Sequence, residues 1–541
     1  MKKNLHYVFA FALTALFGLS SIAQVTNEGT PLSWEVATKS DAAPVIMASF
    51  DLEALKAEDE INDLNKSKPY RFGNEFLTDF GIESAGNWTE LENGDGVWKV
   101  NVRSEGAKTL NFVFDQYKLP EGATVYLYSD DREHLLGAYT SKMNQEEGVL
   151  GTWWVEGDNI WIEYHEPAAV RGQGLLNVGQ VVHGYRSVTD SDLLNKGLND
   201  SGACNLDVDC SIGADFDPVK ELLKHSVGLV IGGGGLCTGT LLNNTALDET
   251  PYFLFANHCG FNAASSSFRF NWISPDPSCA TTTNSTNGSF NSTSGATLLS
   301  TNGESDYRLF EITGGIGEDW EIEYSGWDVS DEEPDYTIGI HHPAGDIMKV
   351  CRNDEGLLKQ DGGQKFWRIM DTGGETGWEQ GVTEGGSSGS ALYNEDGQLI
   401  GTLCCGLAAC AGTNDNGRWD AYGRFAVSYN NNGLAQWLDP TDSGVTEIST
   451  LSQALGLADN LLNDSVTVYP NPTDGELSIV NRSGDELIYT VYNVLGQEVK
   501  SGTMDGVLEM IQLGGNPSGI YFLNVESLDD GTKTSKKIIL K

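Results

Sequence analysis

The chain is predicted to be all-β and built in several parts, and three observations carry that expectation. Its 541 residues exceed one ordinary domain and suggest roughly three or four. Apolar residues come in short runs separated by glycine and turn residues, the spacing of strands rather than of long helices. All nine cysteines lie between Cys204 and Cys410, which marks one stapled region in a chain otherwise free of them.

At the start, Met1-Lys2-Lys3, the apolar run Val8 to Leu19 and the small residues Ser21-Ile22-Ala23 follow the order of a secretory signal peptide over 1–23. Cleavage is expected after Ala23. No later apolar run reaches the length of about 18 residues that spans a bilayer, so no transmembrane segment is expected. The net charge of −44, from 33 Lys and Arg against 77 Asp and Glu, argues against nucleic acid as a partner, because phosphate contacts need a basic surface. It leaves cationic partners, or simply solubility outside the cell.

Residues 24–196 contain the strand-like runs Gly96–Val102, Leu110–Phe114, Thr124–Tyr128 and Asn159–Tyr164, which suggest a sandwich. A helix is expected around Asp51 to Asn65. The cysteine-bearing region, 197–439, also reads as all-β. Asn432–Leu438 is expected as a closing helical turn. A linker, 440–464, then leads to a third β-rich unit, 465–541.

The stretch "EGGSSGSAL", Glu384 to Leu392, admits two readings. Its composition fits a flexible tether, whereas the residues after it read as two strands joined by a turn around Asp396-Gly397, a place to hold a side chain. Presentation of Ser388 as a nucleophile requires a base, usually a histidine oriented by a carboxylate. The central region offers His225, His258, His341 and His342. Of these, His258 ends an apolar run and adjoins Cys259, which can pin the backbone. Asp306 stands just ahead of the alternating run Tyr307–Ile312, where an aspartate can equally be a turn residue.

These residues also carry a resemblance. "FANHCG", "SDYRLFEI" and "GGSSGSAL" resemble the histidine strand, aspartate strand and nucleophile loop of the trypsin-like serine peptidases, in that family's order. Over about residues 200–439 the chain resembles the bacterial lysyl endopeptidases, through "CNLDVDC", "LCTGTLLNNTALDETPYFL", "SGWD", "IGIHHP", "GVTEGGSSGS", "DAYGR" and "WLDP". The resemblance implies a two-barrel fold, with a β-rich pro-region before it. It makes Ser388 the nucleophile, His258 the general base and Asp306 its orienting carboxylate, with the Gly386 and Ser388 N–H groups as oxyanion hole. It further implies that Asp420, in "RWDAYGR", neutralises a basic P1 side chain, with Lys preferred. Cys404-Cys405 depart from the histidine and glycine of the family, and neither Trp367 nor Trp378 aligns clearly with its pocket tryptophan. Specificity for lysine alone, for both basic residues, or for another P1 class therefore stays open.

By the same resemblance the disulfides are Cys204–Cys410, Cys210–Cys279 and Cys237–Cys259. Cys351 is then expected to pair with Cys404 or Cys405, with a Cys404–Cys405 bond or an intermolecular bridge as alternatives. Ser387 replaces the aspartate of pancreatic-type zymogens, so activation is expected by removal of the pro-region, through self-cleavage at Lys196-Gly197. The C-terminal unit, with "VYPNPTDGELSI", "VYNVLGQEV", "GIYFLNV" and a lysine-rich end, resembles the sorting domains of the type IX secretion system. A carbohydrate- or surface-binding sandwich is the other reading of that unit. The expected protein is a secreted or surface-attached monomeric serine endopeptidase acting on proteins or peptides with basic residues, with no cofactor or metal. The rival is an inactive peptidase-like adhesin.

Overall fold

A computed structural model describes residues 29–186, 201–202, 204–274, 279, 290–317, 320–369, 377–410, 418–453, 465–473, 475–481, 486–493, 497–504, 506, 508–528 and 533–541. The expected signal peptide with its Ala23 site and the expected Lys196-Gly197 junction lie outside them.

The protein is all-β, and each part of it is built from sheets with apolar faces turned inward. In the N-terminal part, Gly96–Arg103, Asn159–Glu166 and Thr124–Ser129 are the middle strands of a six-stranded sheet, while Thr109–Lys118 and Leu175–Gly184 pair in a five-stranded one. Trp98, Val100, Phe112, Phe114, Ile162 and Val181 are buried in a common core. The expected helix forms over Leu52–Asn62, and the Asp51 carboxylate caps it by accepting from the Ala54 N–H at 3.0 Å.

The central part is built on two large sheets. An eight-stranded sheet contains Val227–Gly232, Gly235–Leu242, Tyr252–Ala256 and Tyr307–Ile312; a ten-stranded sheet contains Thr337–His341, Ala391–Tyr393, Leu399–Gly406 and Asp420–Arg424. Alternation along Tyr252–Ala256 shows why the region needs both. Phe253 and Phe255 point into the core of the first sheet, while Tyr252 and Leu254 join Ile338, Ile340 and Tyr393 in the core shared by both. The helix Phe425–Asn432 precedes the expected closing turn, Ala435–Leu438.

Three disulfides are present, Cys204–Cys410, Cys210–Cys279 and Cys237–Cys259. Cys351, Cys404 and Cys405 are free, so the expected bond from Cys351 is not formed. Cys351 instead packs as a small apolar side chain among Trp378, Leu392 and Tyr422. The expected linker is also partly fixed: Glu447–Ile448 and Leu451–Ser452 pair with Trp327–Asp328 and Glu323–Tyr324. Chain beyond the closing helix satisfies its backbone on strand edges of the central part. The C-terminal part is a sandwich of a three-stranded and a four-stranded sheet. Among the described residues no helix is long and apolar enough to cross a membrane.

The N-terminal and central parts share a boundary rather than a loose hinge. Leu229, Ile231 and Leu236 of the central sheet belong to the same buried cluster as Phe72, Trp153 and Trp154. Arg269 is buried there, its guanidinium 4.3 Å from the Trp153 ring centre and 3.7 Å from that of Phe290.

Candidate active site

His258 and Asp306 meet because their strands pair. Tyr252–Ala256 runs antiparallel to Tyr307–Ile312 with Ala256 opposite Tyr307, so Asn257, just past one strand's end, adjoins Asp306, just before the other's start. The Asn257 N–H donates to Asp306 O at 2.9 Å, and His258 is the next residue. The turn Asn257–Cys259 then closes on Gly260, whose φ of 69° is left-handed. Its partner sulfur, Cys237, lies on the neighbouring strand Gly235–Leu242. His258 Nδ1 is 2.7 Å from Asp306 Oδ2, and the His258 backbone N–H donates to Asp306 Oδ1 at 2.9 Å. Asp306 is almost fully buried. Two contacts fix both the position and the rotation of the ring.

Ser388 sits in a loop braced by backbone bonds on both sides. Its carbonyl accepts from Thr238 N–H at 2.9 Å, and Gly389 N–H donates to Leu403 O at 2.8 Å. Gly389 has φ 89°, and a Cβ there would lie 2.3 Å from Thr238 O. Gly386 has φ 95°, with a Cβ meeting Ala344 N at 2.7 Å. Glycine at 386 is thus required by its left-handed backbone conformation and by the chain behind it.

His341 and His342 are drawn into this support. His341 Nδ1 is 2.8 Å from Ser387 Oγ, and His342 Nδ1 is 3.0 Å from the Asp346 carbonyl. Burial, followed by the charges of neighbouring groups, pushes His341 well below the usual imidazole range. Burial likewise lowers His342 to about 4. Both rings are neutral near pH 7. The fourth histidine, His225, lies apart, with Nδ1 2.8 Å from Asn271 Oδ1.

Asp420 opens the strand Asp420–Arg424 and is fully buried. Its Oδ2 accepts from Trp378 Nε1 at 2.9 Å and from Thr383 Oγ1 at 2.5 Å. Its Oδ1 faces the Lys66 ammonium at 2.8 Å. Trp378 is thus the tryptophan at the carboxylate, while Trp367 stands under Lys359 and Arg424. Thr383 and Lys66 are not singled out by sequence reasoning. The signal for Thr383 is a hydroxyl five residues before Ser388; Lys66, in a distant segment, gives none.

Cys404 lies beside the histidine–aspartate pair, its sulfur within 4.8 Å of ligand atoms of both His258 and Asp306. It donates to Cys405 Sγ at 2.9 Å. That bond, burial and the Asp306 carboxylate hold the Cys404 thiol protonated, far above the usual range. The vicinal pair thus lies against the imidazole–carboxylate pair, with Cys404 held as a thiol.

The central part thus holds the Ser388 hydroxyl, the His258–Asp306 pair and the buried Asp420 carboxylate, with Lys66 contacting both Ser388 and Asp420. Residues 198–423 match the family described as lysyl endopeptidase, C-terminal domain, and residues 467–541 match the secretion system C-terminal sorting domain. A lysyl endopeptidase from Pseudomonas aeruginosa is 28% identical over 293 residues, which cover 51% of this chain and 60% of that protein. Among solved structures, the inactive form of the Rv3671c protease aligns with TM-score 0.28 and 11% identity, over 41% of this chain and 96% of that one. PorZ, a surface component of the type IX secretion system of Porphyromonas gingivalis, aligns with TM-score 0.14 and 11% identity, over 56% of this chain and 30% of that one. The sorting domain indicates export, with secretion or attachment at the cell surface. The resemblance seen in the motifs is thus met by family matches: residues 198–423 fall in the lysyl endopeptidase C-terminal domain family and residues 467–541 among the secretion sorting domains.

Proposed function

We propose that the protein is a secreted serine endopeptidase that hydrolyses peptide bonds after basic residues, with lysine preferred at P1. The observation that carries the reading is the lysine lying between the pocket and the serine. The Lys66 ammonium is 2.8 Å from Asp420 Oδ1, and its carbonyl oxygen is 3.0 Å from Ser388 Oγ. One lysine thus spans the distance from anionic floor to nucleophile. A buried carboxylate favours a cation and disfavours neutral side chains that would leave it unpaired.

In this reading Ser388 Oγ attacks the carbonyl carbon while His258 Nε2 takes its proton. Asp306 holds the Nδ1–H tautomer and stabilises the imidazolium, and the N–H groups of Gly386 and Ser388 receive the oxyanion. His258 returns the proton to the leaving amine, and water then hydrolyses the acyl-enzyme by the same base. The segment 24–196 acts as a pro-region that is cut at Lys196-Gly197. The C-terminal part engages the type IX export machinery.

The test is digestion of a denatured protein mixture by the secreted, processed protein, with Ser388→Ala as control. Products ending in lysine and absent with Ser388→Ala are expected; products ending in both lysine and arginine would make the pocket wider. Absence of Ser388-dependent products would overturn the reading in favour of a binding protein.

A further inference from the structure

Lys66 belongs to the chain itself, in the segment Asp63-Leu64-Asn65-Lys66-Ser67 that follows the helix Leu52–Asn62. It is 2% exposed, an unusual environment for a lysine unless its charge is met. The ammonium is met twice, by Asp420 Oδ1 at 2.8 Å and by the Ala408 carbonyl at 2.6 Å. The neighbouring Asn65 carbonyl accepts from Gly406 N–H at 3.0 Å.

The segment is shaped as a turn, not as a substrate. Asn65 Oδ1 accepts from the Ser67 N–H at 3.1 Å and the Ser67 hydroxyl at 2.6 Å, and Lys66 has φ 56°, left-handed for a non-glycine residue. The Ser388 hydroxyl donates to Lys66 O at 3.0 Å, and His258 Nε2 has no hydrogen-bond partner among the described residues. The nucleophile's proton therefore points at the carbonyl oxygen instead of at the base, the reverse of what attack requires.

Both flanks of the turn are anchored. On one side, Tyr70–Arg71 adds to the edge of Gly235–Leu242, with Tyr70 opposite Leu236. On the other, Asp59 and Glu58 of the helix hold Arg71 at 2.7 and 2.9 Å, and Asp63 holds Arg186 at 2.5 Å. The turn cannot swing out without breaking one of these holds.

Resting on the peptidase reading above, we propose that Lys66 is a built-in lysine ligand that keeps the precursor latent by filling the Asp420 pocket and engaging Ser388 in an uncleavable turn. Only one lysine side chain fits against Asp420 at a time. A precursor in this state cannot hold its own Lys196 there, so the first cut at that site comes from another, already opened molecule.

The experiment follows labelling by a fluorophosphonate, with the full-length and processed bands resolved by size on one gel. Full-length wild-type chain is expected to label at least about tenfold more slowly than its processed form, and full-length Lys66→Ala at least about tenfold faster than full-length wild type. Lys66→Met, which keeps the aliphatic stem and drops the ammonium, replaces it should the alanine variant not be exported. If processed wild type labels but the full-length variants label no faster than full-length wild type, the inference is overturned while the peptidase reading stands. Equal labelling of the two wild-type bands overturns it without any variant. A processed form that does not label removes both.

Discussion

Asp420 shows how much a single residue can determine. Its oxygens are committed to Trp378, Thr383 and one ammonium, so replacement by asparagine removes the charge and leaves the donors facing a neutral amide. For Asp420→Asn in the processed enzyme, kcat/KM on lysine substrates is expected to fall by roughly 30- to 1000-fold, against about tenfold for Thr383→Val; an Asp420→Asn enzyme that keeps its preference for lysine would contradict the assignment. The free thiols offer a second check. Cys404 is buried with its thiol held protonated, whereas Cys405 is partly exposed and its hydrogen bond from Cys404 lowers it. Iodoacetamide on the native protein should therefore modify Cys405 before Cys404, read by peptide mass spectrometry.

Among the elements, the serine loop and the histidine turn depend on backbone geometry. A Cβ at Gly389 would meet Thr238 O at 2.3 Å with φ at 89°. Gly389→Ala is expected to cost at least about 2 kcal/mol in thermal or denaturant unfolding. The Cys237–Cys259 bond closes a sequence separation of 22 residues; replacing both cysteines by alanine should cost about 3 kcal/mol and loosen the turn that carries His258. A loss of stability without loss of activity would show that the strand pairing alone holds the ring. These elements were largely legible in the sequence, because alternation and local turn chemistry are near-neighbour effects. The helix Phe425–Asn432 was not, since its FAVSYNNN sequence carries no clear helical periodicity and its helix rests on tertiary packing.

For the whole molecule, the two buried histidines behind the serine loop tie stability to pH. His341 and His342 are both lowered by burial, and they face Ser387, the Asp346 carbonyl, Lys349 and Lys66. In the unfolded chain each takes a proton near pH 6.5, which the native state does not. The stabilisation is thus complete above pH 6.5 and is lost as pH falls toward the native value, about 4 for His342. At pH 5 the loss from His342 alone is about 2 kcal/mol. Thermal unfolding at pH 7.5 and pH 5 should show a smaller drop for His342→Gln than for wild type.

The sequence by itself determined the all-β class, which follows from local patterning that a linear reading can follow, and the chain order of the motifs around His258, Asp306 and Ser388; Asp420 was singled out only through the resemblance to the lysyl endopeptidases. Only the tertiary structure decided that Trp378 rather than Trp367 meets Asp420, that His341 backs Ser387, that Cys351 stays single, and that part of the segment after 440 is sheet edge. It alone placed Lys66 against Asp420 and Ser388. The separation between residue 66 and residue 420 leaves no trace in any window of sequence, because the contact exists only once the N-terminal and central sheets have packed on a common core.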